Sequence, residues 1–200
     1  MKILVAYGTT HGHTQHIAER ISARMRGQGH EVFTTDQPWR VRPKSFDAIV
    51  LGGRVHGSRY PWRVTRFIRK HVDILSSRPS AFFSVSLLQL ARNRKRAEAT
   101  RTLPKRVAWK LGWKPDQIAV FAGALRWKAQ YGRLAPLFFF IWRRSLGEVV
   151  DRAFNEQVFT DWTEVDRFAD TFLQLAATKL ELPKSQGAHI PSEQRQRQQA

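Results

Sequence analysis

A short apolar run near the N-terminus, Ile3 to Tyr7, is followed by a glycine-containing loop and then by residues with helical spacing. A continuous apolar run of this kind is typical of a strand buried on both faces. After the loop, Ile17, Ile21 and Met25 recur every four residues, which predicts a helix from His16 to Gly27. A buried strand that leads into a helix is the first unit of a parallel α/β sheet.

The rest of the chain repeats this alternation of strands and helices. Further strands are predicted at 31–34, 46–51, 81–87 and 118–122, and helices at 62–75 and after Asp161, which forms a capping-box pattern with Glu164. The pattern predicts one doubly wound domain over 1–182, followed by a disordered polar tail at 183–200. Ligands bind such sheets at the carboxyl ends of the strands. We therefore expect the site in the loops after Tyr7, Leu51, Leu87 and Ala122.

The net charge of the chain favours an anionic partner. The 200 residues contain 34 Lys and Arg against 16 Asp and Glu, and no cysteine, which is typical of a cytosolic protein. Nucleic acid, an acidic membrane surface and an anionic small molecule all fit this charge. The apolar run at the N-terminus is too short for a signal peptide, so export and N-terminal anchoring are not expected.

The basic residues and tryptophans concentrate in one part of the chain. Between Ala99 and Gly147 the only acidic residue is Asp116, and four of the seven tryptophans lie there. Within this part, the apolar block 134–142 is bracketed by arginines over 133–144. The block is too short to span a bilayer, so we expect it to lie in the interface, with arginines at lipid phosphates. The alternative is a solvated basic face with ordinary core aromatics.

The loop GTTHGHTQH has two chemical interpretations. His11, His13 and His16 have the spacing of a zinc site, but Gln15 stands where such sites place an Asp, and no acidic cluster accompanies the other histidines. We therefore expect no metal.

A phosphate site agrees better with the other residues of this loop. Thr9, Thr10 and Thr14 supply hydroxyls, Gly12 lets the backbone turn, and the following helix adds its dipole. The loop lacks the Gly-Lys-Ser/Thr ending of nucleoside triphosphate loops and the Gly-x-Gly-x-x-Gly spacing of dinucleotide-binding folds. Because the chain has no cysteine, a thiol phosphatase is excluded. A mononucleotide cofactor remains, and FMN is the obvious candidate.

The strand and this loop resemble the phosphate loop of flavodoxins, with His11 and His13 at its variable places. Three later stretches, SRPSAFFSVSL from Ser77, AVFAGALRW from Ala119 and FTDWTEV from Phe159, resemble the menaquinone-dependent protoporphyrinogen IX dehydrogenases of that superfamily. The resemblance covers about residues 1–180. It implies a flavodoxin-like five-stranded sheet of order 2-1-3-4-5, FMN as cofactor, and a basic insert after the fourth strand, at about 89–115.

The resemblance also implies site residues. Those expected at FMN are Thr9, Thr10, His11, Gly12, His13, Thr14, Gly53, Arg54, Val55, Tyr60, Ser86, Leu87, Gly123, Ala124 and Leu125, with Tyr60 or Trp62 as candidates to stack on its ring. Arg126 is a candidate for a substrate propionate or for the flavin, and His56 for a proton acceptor. The basic insert is expected to hold propionates, lipid headgroups or both.

The activity implied by the resemblance is FMN-dependent oxidation of protoporphyrinogen IX in heme biosynthesis. Electrons would pass to menaquinone or another quinone, at the cytoplasmic face of the inner membrane and in contact with its anionic surface. The alternative is an FMN electron carrier or general quinone reductase without porphyrin specificity. A nucleic-acid-binding module would use the charge and tryptophans but leaves the phosphate loop unexplained, so no nucleic acid is expected.

Overall fold

The computed structural model describes residues 1–9, 12–55, 59–125, 134–146 and 157–181. Its centre is a parallel sheet of five strands, β1 (Lys2–Gly8), β2 (Glu31–Thr35), β3 (Ala48–Arg54), β4 (Ser80–Val85) and β5 (Gln117–Phe121). The strands lie in the order β2-β1-β3-β4-β5, which confirms the predicted doubly wound sheet. A separate antiparallel pair joins β6 (Ala124–Leu125) to β7 (Gln157–Val158).

Six α-helices surround the sheet in the described part of the chain. They are α1 (His13–Gly27), α2 (Trp62–Lys70), α3 (Val72–Ser77), α4 (Arg94–Lys110), α5 (Ala135–Leu146) and α6 (Trp162–Glu181). Short 3-10 helices lie at Pro38–Arg40, Pro43–Ser45 and Leu87–Leu90. Asp161 Oδ1 accepts hydrogen bonds from the amides of Thr163 (2.8 Å) and Glu164 (3.3 Å), so the predicted cap of the last helix is confirmed.

The alternating side chains of the buried strands form two apolar layers. Ile3 and Val5 of β1 point to the layer covered by α1 and α6. Leu4 and Ala6 point to the layer covered by α2, α3 and α4. Because both faces are covered, the strands read as continuous apolar runs in the sequence.

Two predicted strand boundaries were wrong, one because of pairing with a distant strand and one because of a local turn. β3 continues through Gly52 and Gly53, which pair with β4, and the ring of Phe83 fills the space where a side chain at Gly52 would lie. β4 ends at Val85, because the Ser86 hydroxyl accepts the Leu88 amide hydrogen (3.3 Å) and starts a 3-10 turn.

Two predicted helices also differ from the structure. The expected helix 62–75 is two helices, because His71 has φ −126° and ψ 24° and interrupts the regular backbone. The first helix begins at His13 rather than at His16, since Gly12 already turns the chain into it. His16 lies in the first turn of this helix and is exposed.

The segment expected as a basic insert, 89–115, contains α4, which connects β4 to β5. Two neighbouring parallel strands need a crossover of this kind, and α4 packs on the sheet layer of α2 and α3 through Ala108. Its cations face solvent, and the half-exposed Trp109 lies between Lys105 (4.5 Å) and Lys114 (5.7 Å). That the segment is an insertion relative to the family stays a prediction.

Candidate functional site

The loops predicted to form the site do lie at one edge of the sheet. Because β1, β3, β4 and β5 run parallel, the residues that follow them emerge together at their carboxyl ends. Four of the expected site residues, Thr10, His11, His56 and Arg126, lie outside the described residues. The others can be placed individually.

The loop after β1 leads directly into the amino end of α1. Gly12 has φ 84°, a left-handed conformation that glycine adopts without the steric cost of a side chain, and its amide donates to Thr9 Oγ1 (3.2 Å). Among the described residues no side chain caps α1, and its first turn carries no acid. Helix amides and a helix dipole that face outward without a nearby carboxylate suit an anion.

His13 is buried and belongs to a hydrogen-bonded chain. Its Nε2 lies 2.6 Å from Thr160 Oγ1, and Thr160 Oγ1 donates to the Ala122 carbonyl (2.6 Å). A carbonyl only accepts, so the single hydroxyl hydrogen is committed to Ala122 and His13 Nε2 must be the donor. The chain thus connects the start of α1, the end of β5 and the residue before the cap of α6.

His13 and His16, the two loop histidines that the structure describes, belong to no metal-ligand cluster within the described residues. In the part of the chain that the structure describes, no group of three or more His, Asp or Glu side chains converges in a way that could hold a metal ion. His13 uses its Nε2 on Thr160, and His16 is exposed on α1. Thr14 is buried at 2% exposure.

The loop after β3 is supported by Tyr60. A side chain at Gly53 would lie 2.8 Å from Tyr60 Cδ1, so the ring packs directly on the backbone of β3. The Tyr60 hydroxyl donates to Ser84 Oγ (2.8 Å), and burial raises its pKa well above the usual value. This burial speaks against Tyr60 as the residue that stacks on a flavin. Arg54 and Val55 are half-buried, and the Val55 amide donates to the Val85 carbonyl (2.9 Å).

The loops after β4 and β5 are held to each other. The Ser86 amide donates to the Phe121 carbonyl (3.0 Å). With its amide group oriented to satisfy both partners, Gln89 donates to the Val120 carbonyl (2.8 Å) and accepts from the Ala122 amide. These bonds occupy polar groups of β5, the edge strand of the sheet.

Beyond β5 a small apolar cluster closes this end of the site. Leu87 and Leu125 pack with Phe139 and Leu146 of α5, and Ala124 is also buried. Gly123 allows a close approach, since a side chain there would meet Val85 at 3.4 Å and Leu87 at 3.6 Å. The expected positions after β4 and β5 therefore have a mainly structural environment.

The apolar block predicted for the membrane interface forms most of α5. Phe139 is buried in the cluster with Leu125, whereas Phe140 is 70% exposed and Ile141 is 52% exposed. Arg143 lies 5.9 Å from the ring of Phe139. Among the described residues, no helix combines the length and apolarity needed to cross a bilayer.

Sequence reasoning missed three residues that organise this edge, Thr160, Ser84 and Gln89. Their partners are distant along the chain, which hides the contacts from local patterns. The position of Thr160 could have indicated a structural role, since it lies immediately before the helix cap Asp161 in the stretch FTDWTEV. Ser84 is a hydroxyl residue between the apolar Phe83 and Val85 of a buried strand, which also signals a buried partner.

Comparison with known proteins agrees with this architecture. A family model described as a flavodoxin domain matches residues 4–135. A protein of Escherichia coli (strain K12) named protoporphyrinogen IX dehydrogenase (quinone) is 31% identical over 171 residues, which are 84% of this chain and 93% of the relative. A protein of the same name from Leishmania major is 28% identical over 194 residues, covering 95% of this chain and 82% of the relative.

Solved structures show the same fold at low identity. A flavodoxin from the domain Archaea matches with a TM-score of 0.53 and 13% identity over 88% of this chain and 99% of its own. Oxidised flavodoxin 2 from Bacillus cereus matches with a TM-score of 0.51 and 17% identity over the same shares, 88% and 99%. The chain therefore belongs to the flavodoxin-domain family and, within it, to the family of the quinone-type protoporphyrinogen IX dehydrogenases.

Proposed function

We propose that the chain binds FMN at the carboxyl edge of the sheet and oxidises protoporphyrinogen IX, with menaquinone as electron acceptor. The observation that carries the proposal is the left-handed Gly12 turn into α1, whose first turn has neither an acid nor a side-chain cap among the described residues. That arrangement fits the phosphate of a mononucleotide. The substrate and acceptor come from the names of the relatives.

The residues present fit an FMN phosphate. Thr9 fixes the turn through its bond to the Gly12 amide, and the amides at the start of α1 then face the edge of the sheet. When bound, the flavin supplies the redox chemistry, accepting electrons from the substrate and releasing them to the quinone. The protein residues position it, and Gly53 and Gly123 keep the neighbouring backbone free of side chains.

One cation near this edge is a candidate partner for an acidic substrate. Arg101 of α4 lines a groove of about 500 Å³ beside the end of β5, which the carboxylates of Asp161 and Glu164 also line. Guanidinium groups bind carboxylates through paired hydrogen bonds, so propionate groups are suitable partners for such a side chain. Arg126 stays a further candidate for this role, and His56 for the proton acceptor.

We place the reaction at the cytoplasmic face of the inner membrane, because the quinone is a membrane lipid. The exposed part of α5, Phe140 and Ile141 with Arg143 nearby, supports contact with a bilayer. Phe139, by contrast, belongs to the protein core and contributes nothing to that surface.

A first experiment tests FMN binding. The apoproteins of the wild type and of a Gly12→Ala variant are each titrated with FMN, and binding is followed by fluorescence. Alanine in the left-handed conformation costs about 1–2 kcal/mol, so affinity should fall by about tenfold. Gly29→Ala is the matched control, since Gly29 has φ 83° with open space around it at the opposite end of α1. It should carry the same backbone strain but bind FMN normally. Equal FMN affinity of the two variants would contradict the proposed loop.

A second measurement separates the two candidate activities. Under anaerobic conditions, protoporphyrinogen and a menaquinone analogue should yield porphyrin fluorescence with the FMN-loaded protein. Turnover with nicotinamide donors but without porphyrin formation would favour the general quinone reductase. A protein that takes up no flavin on reconstitution would exclude both.

A further inference from the structure

Two exposed tryptophans and two arginines form a patch on the surface of α2, which we call the Trp–Arg patch: Trp39, Trp62, Arg63 and Arg66. The indoles are 44% and 63% exposed. The Arg63 guanidinium lies 4.4 Å from the ring centre of Trp39 and 5.9 Å from that of Trp62, and Arg66 lies 5.8 Å from Trp62. The patch lines a groove of about 330 Å³.

The cations of this patch have no anionic partner within the described part of the chain. Arg63, Arg66 and the neighbouring Lys70 form no ion pair there, and α2 contains no acidic residue. The opposite layer behaves differently, since Arg20 and Arg24 of α1 pair with carboxylates of α6 at 2.6 and 2.8 Å. The charge on α2 is therefore available to an external anion.

The patch lies at the same edge of the sheet as the candidate site. Trp39 follows β2, and Trp62 begins α2 just after the loop that leaves β3. At the other end of this edge, α5 packs on the residues after β4 and β5 and exposes Phe140 and Ile141. Amphipathic side chains thus stand on both sides of the loops predicted to bind the cofactor.

We propose that the Trp–Arg patch docks on an anionic lipid bilayer, as a second contact beside α5. Indole rings favour the depth of lipid headgroups, and arginines next to them meet lipid phosphates. A nucleic acid would also use stacked rings and guanidinium groups, but it gives no role to the exposed aliphatic and aromatic face of α5. Binding of the patch to lipid is argued independently of the proposed function. Only the purpose of that binding, which is to bring the site to a membrane quinone, rests on the proposed function.

The test measures sedimentation of the full-length protein with vesicles of phosphatidylglycerol and phosphatidylcholine in equal parts. Arg63→Gln with Arg66→Gln should weaken binding about twenty-five-fold, because each basic residue near an anionic surface contributes about fivefold. Trp39→Ala should also weaken it, and Phe140→Ser with Ile141→Ser should add to the loss. Arg167→Gln is the control, an exposed cation on α6, and should change binding less than twofold.

Several outcomes would overturn the proposal. These are unchanged vesicle binding by the Arg63, Arg66 and Trp39 variants, equal wild-type binding to pure phosphatidylcholine vesicles, or loss of single-stranded oligonucleotide binding with vesicle binding intact. Urea unfolding of each variant shows whether it has kept its fold. FMN titration and turnover with a water-soluble quinone are measured in parallel, so a failure of the proposed function is seen without vesicles and separately from a failure of docking.

Discussion

Replacing Thr160 by Val tests the hydrogen-bonded chain that holds the amino end of α1 against β5. Valine has nearly the shape of threonine, so packing is kept while the hydroxyl is lost. That hydroxyl accepts from His13 Nε2 and donates to the Ala122 carbonyl, each at 2.6 Å, and Thr160 is 8% exposed. The substitution therefore removes two hydrogen bonds from a buried position at once.

The size of the effect follows from the two groups left behind. A buried donor or acceptor that loses its partner costs about 1–3 kcal/mol, and here one imidazole N–H and one carbonyl each lose this partner. Both sites can relax in part, so the free energy of unfolding should fall by about 2–4 kcal/mol. Urea unfolding with linear extrapolation measures this difference directly.

Thr178→Val, within α6, is the control for this measurement. Its hydroxyl donates to the Gln174 carbonyl (3.0 Å) in an exposed position, where water replaces the bond, so the free energy of unfolding should change by less than about 0.5 kcal/mol. A loss below about 0.5 kcal/mol, or a neutral His13 protonated at Nδ1 by NMR, would refute the reasoning.

Two further predictions concern stability. Gly53→Ala should lower the free energy of unfolding by about 1–3 kcal/mol in urea, because the new methyl lies 2.8 Å from Tyr60 Cδ1 in a packed core; Gly27→Ala, with open space around it, should cost nothing. The Arg20 hydrogen bond holds the pKa of Asp166 below its usual value, so Asp166 adds stability above the pKa of the unfolded chain and loses it as pH falls through the folded pKa. Unfolding curves of wild type and Asp166→Asn should therefore converge below about pH 4 and separate above it, and parallel curves would contradict this assignment.

The sheet was predictable because its signal is local. A strand buried on both faces is mainly apolar, so 3–7 and 81–87 stand out in the sequence, as does 118–122 although the side chains of β5 are partly exposed. Some boundaries were less predictable, since they depend on distant neighbours. Gly52 stays in β3 because its backbone pairs with Tyr7 of β1 and Phe83 of β4, and no pattern around Gly52 contains that information.

In the candidate site, too, the features with a local sequence signal were predictable and those set by distant contacts were not. Gly12 and the start of α1 follow from the loop sequence, because a glycine turn before a helix is a local motif. The sequence could not decide whether the ring of Tyr60 faces a ligand or the core, since an aromatic residue in a loop has the same local sequence pattern in both cases. Its bond to Ser84, 24 residues away, decides for the core.

His13, one of the three histidines with the spacing of a zinc site, makes a structural contact at the amino ends of two parallel helices. Arg20 and Arg24 of α1 pair with Asp166 and Asp170 of α6, so both pairs have the same sequence offset of 146 residues. His13 and Thr160, 147 residues apart, continue this series at the amino ends of the helices. The constant offset means that α1 and α6 run side by side in one register. The contact between His13 and Thr160, which also bonds the Ala122 carbonyl, therefore sets the height of Gly12 relative to β5, and we expect its loss to move the proposed phosphate loop relative to the loop after β5.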